Sequence, residues 1–194
     1  MAAIDVDTLT ALLDEDFGPW AADLTPLQRT ALSDYQEGWG SRVNEYLRDE
    51  VEPSFIPWED AQHIAEILDE LETAVIAGRL LRDLVAFRGI SDVSRVFDDV
   101  NPADLIGEDW VDNGFMSTTI DRDLAVEAFA VEPEPGLFEL DLRVGQPAAW
   151  LPLGGGALYY EERELLLPCG STVMIREVVE DDTGLLVIRA EVES

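Results

Sequence analysis

Lysine does not occur in this 194-residue chain: its twelve basic residues are all arginine, and against 42 Asp and Glu they leave a formal net charge of -30. A surface of that sign repels phosphate backbones, so a DNA or RNA substrate is disfavoured unless a local arginine patch overrides the overall field. Cysteine is almost as scarce. Cys169 stands alone and cannot close an internal disulfide, so the fold is not expected to depend on an oxidising compartment. The single histidine, His63, has no Cys or His at ligand spacing; it reads as structural, and no metal site is expected. Long apolar runs are missing too, none nearing the ~20 residues of a membrane span. Residues 1–17 carry acids where a secretory leader would need a basic start and an apolar stretch, so no signal peptide is read there. The expected setting is cytoplasmic, in the producing cell or in a target cell after delivery.

What is present supports one folded unit. A hydrophobic content of 47% is enough for a real core at this length. The acidity reads first as adaptation to a saline cytoplasm or a GC-rich genome, and second as a surface for a basic protein partner.

The first half has helical periodicity. Residues 5–17 form one segment; Thr25 and Pro26 open a second that runs towards Leu47, with proline near its first turn. Pro53 and Pro57 break the pattern. Residues 58–77 then place Ile64, Ile67, Leu68, Leu71 and Val75 at spacings of three and four, one apolar helix face, with Gly78 able to end it. After Leu80 short Val-, Leu-, Ile- and Phe-rich runs alternate with Gly, Pro and Asp clusters. Strands are expected over 84–88, 114–118, 137–144, 164–167, 173–179 and 185–192, with a short helix over 123–129. The fold class is α+β. Residues 1–24 are expected to be a helical extension, and 25–194 the main domain, with helices to about 80 and a β core from about 84.

Three short motifs follow in order: Phe87-Arg88-Gly89, then Phe115-Met116-Ser117-Thr118-Thr119, then Glu162-Arg163-Glu164 leading into Leu165-Leu166-Leu167-Pro168. Each alone is ordinary. An arginine ending a strand is usually a solvated charge, and Glu-x-Glu is usually one polar face of a strand. Upstream, Tyr35 and Asn44 stand nine positions apart, in Asp34-Tyr35 and Asn44-Glu45-Tyr46-Leu47; downstream, Pro168-Cys169-Gly170-Ser171 follows.

In this order and spacing, from about residue 25 to the C-terminus, the motifs resemble the arginine-serine-glutamate class of ADP-ribosyltransferases, in particular the actin-modifying bacterial toxins and related phage enzymes. The resemblance implies a split β-sandwich of two sheets with NAD in the cleft between them. It implies a mono-ADP-ribosyltransferase that uses NAD as substrate and modifies a protein side chain, with arginine as the expected acceptor. Arg88 would anchor the NAD diphosphate, for which a guanidinium offers a planar fork of donors. Gly89, where the toxin branch often has a second basic residue, would lie beside it. Asn44 and Tyr35 would hold the cofactor from the helical side, and Phe129 would help to cover the nicotinamide, although a core aromatic on an amphipathic helix is the commoner explanation of that position.

Ser117 would orient the catalytic glutamate through its hydroxyl. Thr119 departs mildly from the Ser-Thr-Ser that is common there. On an extended segment Glu162 and Glu164 would share a face. Glu164 would stabilise the positive charge that develops on the ribose, and Glu162 would orient or deprotonate the incoming guanidinium. The glycine-rich stretch before them, residues 153–160, permits unusual backbone angles and motion and reads as well as a plain surface turn; the resemblance implies a target-recognition loop with Tyr159 or Tyr160 as its aromatic contact. Two other functions stay open: a non-catalytic module that retains the fold, and an acidic decoy for a basic surface.

Overall fold

The computed structural model of the chain describes residues 4–48 and 56–193. Pro53 therefore lies outside the described residues. Helices α1 (Val6–Asp23), α2 (Pro26–Asp34), α3 (Gly40–Leu47) and α4 (Trp58–Ala77) come first. Eight strands follow: β1 (Leu84–Ile90), β2 (Asp109–Asp112), β3 (Met116–Thr119), β4 (Gly136–Leu142), β5 (Ala149–Trp150), β6 (Glu164–Leu167), β7 (Ser171–Glu180) and β8 (Leu186–Val192). Three short helices, α5 (Val93–Val96), α6 (Arg122–Leu124) and α7 (Leu151–Gly154), lie between them. The α+β reading holds.

Local chemistry starts the helices. Asp5 caps α1 by accepting the Thr8 N–H, and Thr25 and Gln28 form a reciprocal capping box on α2 with Pro26 in its first turn. The expected break after Phe17 does not occur, and α1 continues through Pro19 to Asp23. A proline inside a helix loses one hydrogen bond and crowds the preceding turn. Tertiary packing offsets that: Phe17 and Ala21 are buried, and the Trp20 indole N–H donates to the Ala74 carbonyl at 2.9 Å. The segment expected to run from Thr25 to Leu47 is not one helix either. A π-type turn, Tyr35–Trp39, separates α2 from α3, with Gly38 at φ 117°, a left-handed angle that glycine adopts without steric cost.

The hydrogen-bonded ladders run as one eight-stranded sheet, in the order β2-β7-β8-β4-β1-β3-β6-β5. The two sheets expected of a split β-sandwich are joined here by a narrow seam. The two parts, β2-β7-β8-β4-β1 and β3-β6-β5, meet at a single residue pair, Phe87 opposite Thr119. By contrast β1 and β4 pair along seven residues, from Leu84–Leu142 to Ile90–Gly136. Beyond the Phe87–Thr119 pair β1 and β3 diverge, so the sheet opens into a cleft while remaining continuous.

Two large apolar clusters cover most of the strands, with a small third one at Ala125, Leu137 and Leu185. The larger includes Leu13 and Phe17 of α1 together with Leu165, Leu167, Phe138 and Trp150. The other joins the helices to the sheet through Leu32, Tyr35, Val43, Ile64, Leu71, Phe115 and Leu166. Alternation along β6 thus sends Leu165 and Leu167 one way and Leu166 the other, and by the same period-two rule Glu164 shares the helical side with Leu166. No helix among the described residues is long and apolar enough to cross a membrane.

Candidate functional site

The cleft at the divergence of β1 and β3 is lined by Asn44, Arg88, Gly89, Ser117, Phe129, Glu162 and Glu164, among others, and encloses about 190 Å³. Motifs up to 120 residues apart in sequence meet there. A larger cavity of about 650 Å³ adjoins it and shares Asn44, Arg88 and Gly89, continuing past Arg48, Asp92 and Asp112.

Glu164 is buried, 7% exposed, at the start of β6. Ser117 Oγ donates to its Oε1 at 2.6 Å and Gln36 Nε2 donates to its Oε2 at 3.1 Å. Burial raises its carboxyl to about 7, against the lowering effect of those two donors, while the nearby Glu162 raises it a little more. Every hydroxyl of Ser117-Thr118-Thr119 is spent on the Glu162–Leu165 segment. Thr118 Oγ1 donates to the Leu165 carbonyl at 2.6 Å, and Thr119 Oγ1 to the Glu162 carbonyl at 2.8 Å. Threonine at 119 therefore does what a serine hydroxyl would do.

The extended geometry expected between the two glutamates is not what the chain adopts. Glu162 ends a 3-10 turn, Ala157–Glu162, and Arg163 sits in the left-handed region at φ 48°, ψ 43° before β6 begins. Both glutamates still line the cleft. A non-glycine residue in this region is disfavoured and persists only where its surroundings over-determine it. Here Arg163 Nη1 pairs with Asp121 at 2.6 Å and Nη2 with Asp7 of α1 at 2.7 Å. Glu162 is partly buried, and its carboxyl is raised by burial.

Arg88 comes from the β1 register, opposite Phe138. Its guanidinium is largely buried, and burial works against its charge while Asp112, 3.4 Å from Nη1, supports it. Among the buried side-chain nitrogens and oxygens of the described residues, Arg88 Nη1 lacks a hydrogen-bond partner. A guanidinium beside the cleft with one N–H not used in a hydrogen bond has the chemistry to bind an anion. Asp112, 2% exposed, also takes Arg48 in a bidentate pair at 2.7 and 2.9 Å. Gly89 has a steric reason to be glycine: a Cβ would stand 2.3 Å from the Ala125 carbonyl oxygen and 2.6 Å from Phe129 Cβ. Its bare backbone lets the turn Ala125–Phe129 close against β1. Phe129 itself is 45% exposed, so the core reading of that aromatic does not apply.

Asn44 and Tyr35 are both buried at the helical wall, where Asn44 Nδ2 donates to Tyr35 Oη at 3.0 Å. The glycine-rich stretch is packed rather than loose. None of its glycines has a positive φ; a Cβ on Gly154 would stand 2.6 Å from the Trp20 ring, and one on Gly155 2.0 Å from Gln36 Oε1. These glycines permit close approach to the helices. Tyr160 donates its hydroxyl to Asp14 of α1 at 2.8 Å, whereas Tyr159 is half-buried and Leu158 beside it is 90% exposed. His63 packs edge-on against Trp39 and lies 3.5 Å from Asp34. No group of three His, Cys, Asp or Glu is placed to hold a metal ion among the described residues.

Gln36, Asp112 and Arg48 belong to this site and carry no signal in the sequence that would single them out, and Arg163 stands in the third motif with no role read for it there. Each acts through a partner distant in the chain.

A family model described as ADP-ribosyltransferase exoenzyme matches residues 13–193. An NAD(+)–arginine ADP-ribosyltransferase of Enterococcus faecalis is 29% identical over 113 residues, 58% of this chain; the chain covers 21% of that relative's length. Among solved structures, Plx2a, an ADP-ribosyltransferase toxin from Paenibacillus larvae, superposes with a TM-score of 0.78 at 19% identity, covering 98% of both chains. C3stau2 from S. aureus, solved with NAD, gives 0.75 at 15% identity over 100% of this chain and 98% of its own. These likenesses fall on the same fold, and the family match runs through every motif that meets in the cleft: the chain belongs to the ADP-ribosyltransferase exoenzyme family.

Proposed function

We propose that this chain is a mono-ADP-ribosyltransferase that takes NAD as substrate and moves its ADP-ribose to an arginine side chain of a protein. The observation that carries this reading is the pairing, in one cleft, of a buried carboxylate held by Ser117 with a buried guanidinium whose Nη1 makes no hydrogen bond. Arg88 takes the diphosphate, and the larger adjoining cavity receives the adenosine half. Phe129 and Gly89 form the wall over the nicotinamide, and Asn44 and Tyr35 brace the opposite one. The glycosidic C–N bond breaks with its electron pair leaving on nicotinamide, and Glu164 stabilises the positive charge that grows on the ribose. A guanidinium nitrogen of the acceptor then bonds to the same carbon, and Glu162 accepts its proton. The half-exposed Tyr159 faces the acceptor protein, with Tyr160 fixing the turn through Asp14.

The arginine acceptor is supported by the Enterococcus faecalis relative and by the Glu-x-Glu pair. Helix α1, whose Leu13 and Phe17 share the sheet's core, is read as part of the domain and not as an appendage. The reaction is assigned to a cytoplasm, where NAD and protein targets coexist. A non-catalytic module is not favoured, because a fold gains nothing from a buried carboxyl raised to about 7 and a buried guanidinium with an open donor.

The test is incubation of the protein with labelled NAD and a cell lysate, followed by identification of the labelled protein and residue. Label on arginine supports the proposal. Intact NAD and no label, with the fold confirmed, would replace it with the non-catalytic module.

A further inference from the structure

Gln36 touches two parts of the site at once. Its Nε2 donates to Glu164 Oε2 at 3.1 Å, and its Oε1 accepts the Gly156 N–H at 2.9 Å. The amide can face only one way: reversed, it would set its carbonyl against a carboxylate and its NH2 against an N–H. The side chain projects from the π-type turn Tyr35–Trp39, and such turns often mark functional positions. Residues 154–156 are shaped to receive it. A Cβ on Gly155 would meet Gln36 Oε1 at 2.0 Å and Cδ at 2.8 Å, and one on Gly156 would lie 3.3 Å from Ser33 Oγ. Immediately after these glycines comes the turn Ala157–Glu162, which carries Tyr159 and Glu162.

We propose that Gln36 is a positioning residue that links the setting of the 154–156 loop to the orientation of the Glu164 carboxylate. This rests on the reading above that Glu164 acts on NAD. One oxygen of Glu164 is held by Ser117 and the other by Gln36, so Gln36 removes the remaining freedom of rotation about the carboxylate. A protein that pressed on the acceptor-facing turn would pull on Gly156, and through Gln36 the displacement would reach the group that faces the ribose. Cleavage of NAD is thereby made sensitive to how the loop is seated.

Gln36→Met, of similar size and without either hydrogen bond, tests the link alongside Gly155→Ala and the double variant. Nicotinamide release from NAD alone is followed with and without variation of pH, and the Glu164 carboxyl is titrated by carbon-13 NMR. Glu164 is faced by Ser117 and Gln36 as donors, by the Glu162 carboxyl and by the Tyr35 phenol. Losing the Gln36 donor moves the carboxyl above its parental value of about 7, so the acid limb of the rate profile moves to higher pH. We expect kcat to fall about tenfold with KM changed less than about twofold, and Gly155→Ala to act in the same direction. The double variant should be no worse than the worse single one, the mark of a shared path.

An unchanged carboxyl titration and kcat in Gln36→Met, or losses that multiply in the double variant, would overturn the proposal. Thermal melts accompany each variant, and Gln36→Leu replaces Gln36→Met if the latter does not fold. If the parental protein released no nicotinamide, the NAD reading would fall, while the NMR titration would still decide whether Gln36 sets Glu164.

Discussion

Asn44 grips the backbone of Phe115 from both sides: its Oδ1 accepts the Phe115 N–H at 2.8 Å and its Nδ2 donates to the Phe115 carbonyl at 3.1 Å. A side chain of α3 thus stands in for a neighbouring strand just before β3 begins, while the same amide reaches Tyr35. Asn44→Ala leaves these buried groups unsatisfied, a loss of about 2–4 kcal/mol by the usual cost of orphaned donors and acceptors. Urea unfolding of the variant against the parent checks it; a midpoint shift too small to correspond to 1 kcal/mol would show that solvent replaces the amide.

The two glutamates should fail differently. Glu164→Gln removes the charge that balances the growing cation, so nicotinamide release and protein labelling should fall together, roughly a hundredfold or more. Glu162→Gln should retain much of the release, because water needs less activation than a protonated guanidinium, while labelling of arginine collapses. Both products are measured on the same samples. Labelling at the parental rate in Glu162→Gln would remove Glu162 from the acceptor role.

Burial of Glu164 also predicts how stability depends on pH. Its folded carboxyl is raised to about 7 from an ordinary 4.5, so it favours folding below about 4.5 and loses that contribution as pH rises through about 7. At pH 8 the ionised, buried group opposes the fold, and Glu164→Gln should be more stable than the parent by on the order of 1–3 kcal/mol. At pH 4 the two should be nearly alike. Melting curves at both pH values test the sign, and equal differences at each would refute the link to ionisation. The same value places the acid limb of NAD cleavage near pH 7, with activity falling below it.

Arg88→Ala should weaken NAD binding about ten- to a hundredfold, in the range of lost charge-assisted hydrogen bonds, with the fold retained. Arg88→Lys should restore little, since an ammonium cannot present the same planar fork. Equilibrium binding of NAD to both variants gives the answer; an affinity equal to the parent's would assign the diphosphate to other residues.

Arg163 separates strain from pairing. Arg163→Gly removes the ion pairs to Asp7 and Asp121 but adopts φ 48° without steric cost, whereas Arg163→Ala removes the pairs and keeps the strain. The alanine variant should be less stable than the glycine variant by about 1 kcal/mol in thermal or urea unfolding. The opposite order would mean that the backbone relaxes out of the left-handed region once the arginine is gone.

Much of this architecture was readable locally. Helix α4 announced itself by apolar residues at spacings of three and four, and β6 by an unbroken apolar run. The short strands were not readable: β5 is two residues long, and β2 exists because Asp109–Asp112 pairs with Met174–Ser171. Nor was the continuation of α1 through Pro19, which local propensity opposes and contacts with α4 permit. The site divides the same way. Arg88, Ser117, Glu162 and Glu164 stood out through residue type and order, while Gln36 looked like any polar helix residue.

The sequence by itself determined the chemical groups available, their order, and the helical and strand periods that carry them, because those depend on neighbours a few residues away. Only the tertiary structure decided that one sheet would part at the Phe87–Thr119 pair to open a cleft, that Arg163 would take a left-handed turn between the glutamates, and that Gln36 would reach a carboxylate 128 residues further on. Those outcomes come from packing and register between distant segments, where a shift of one residue sends every side chain to the other face.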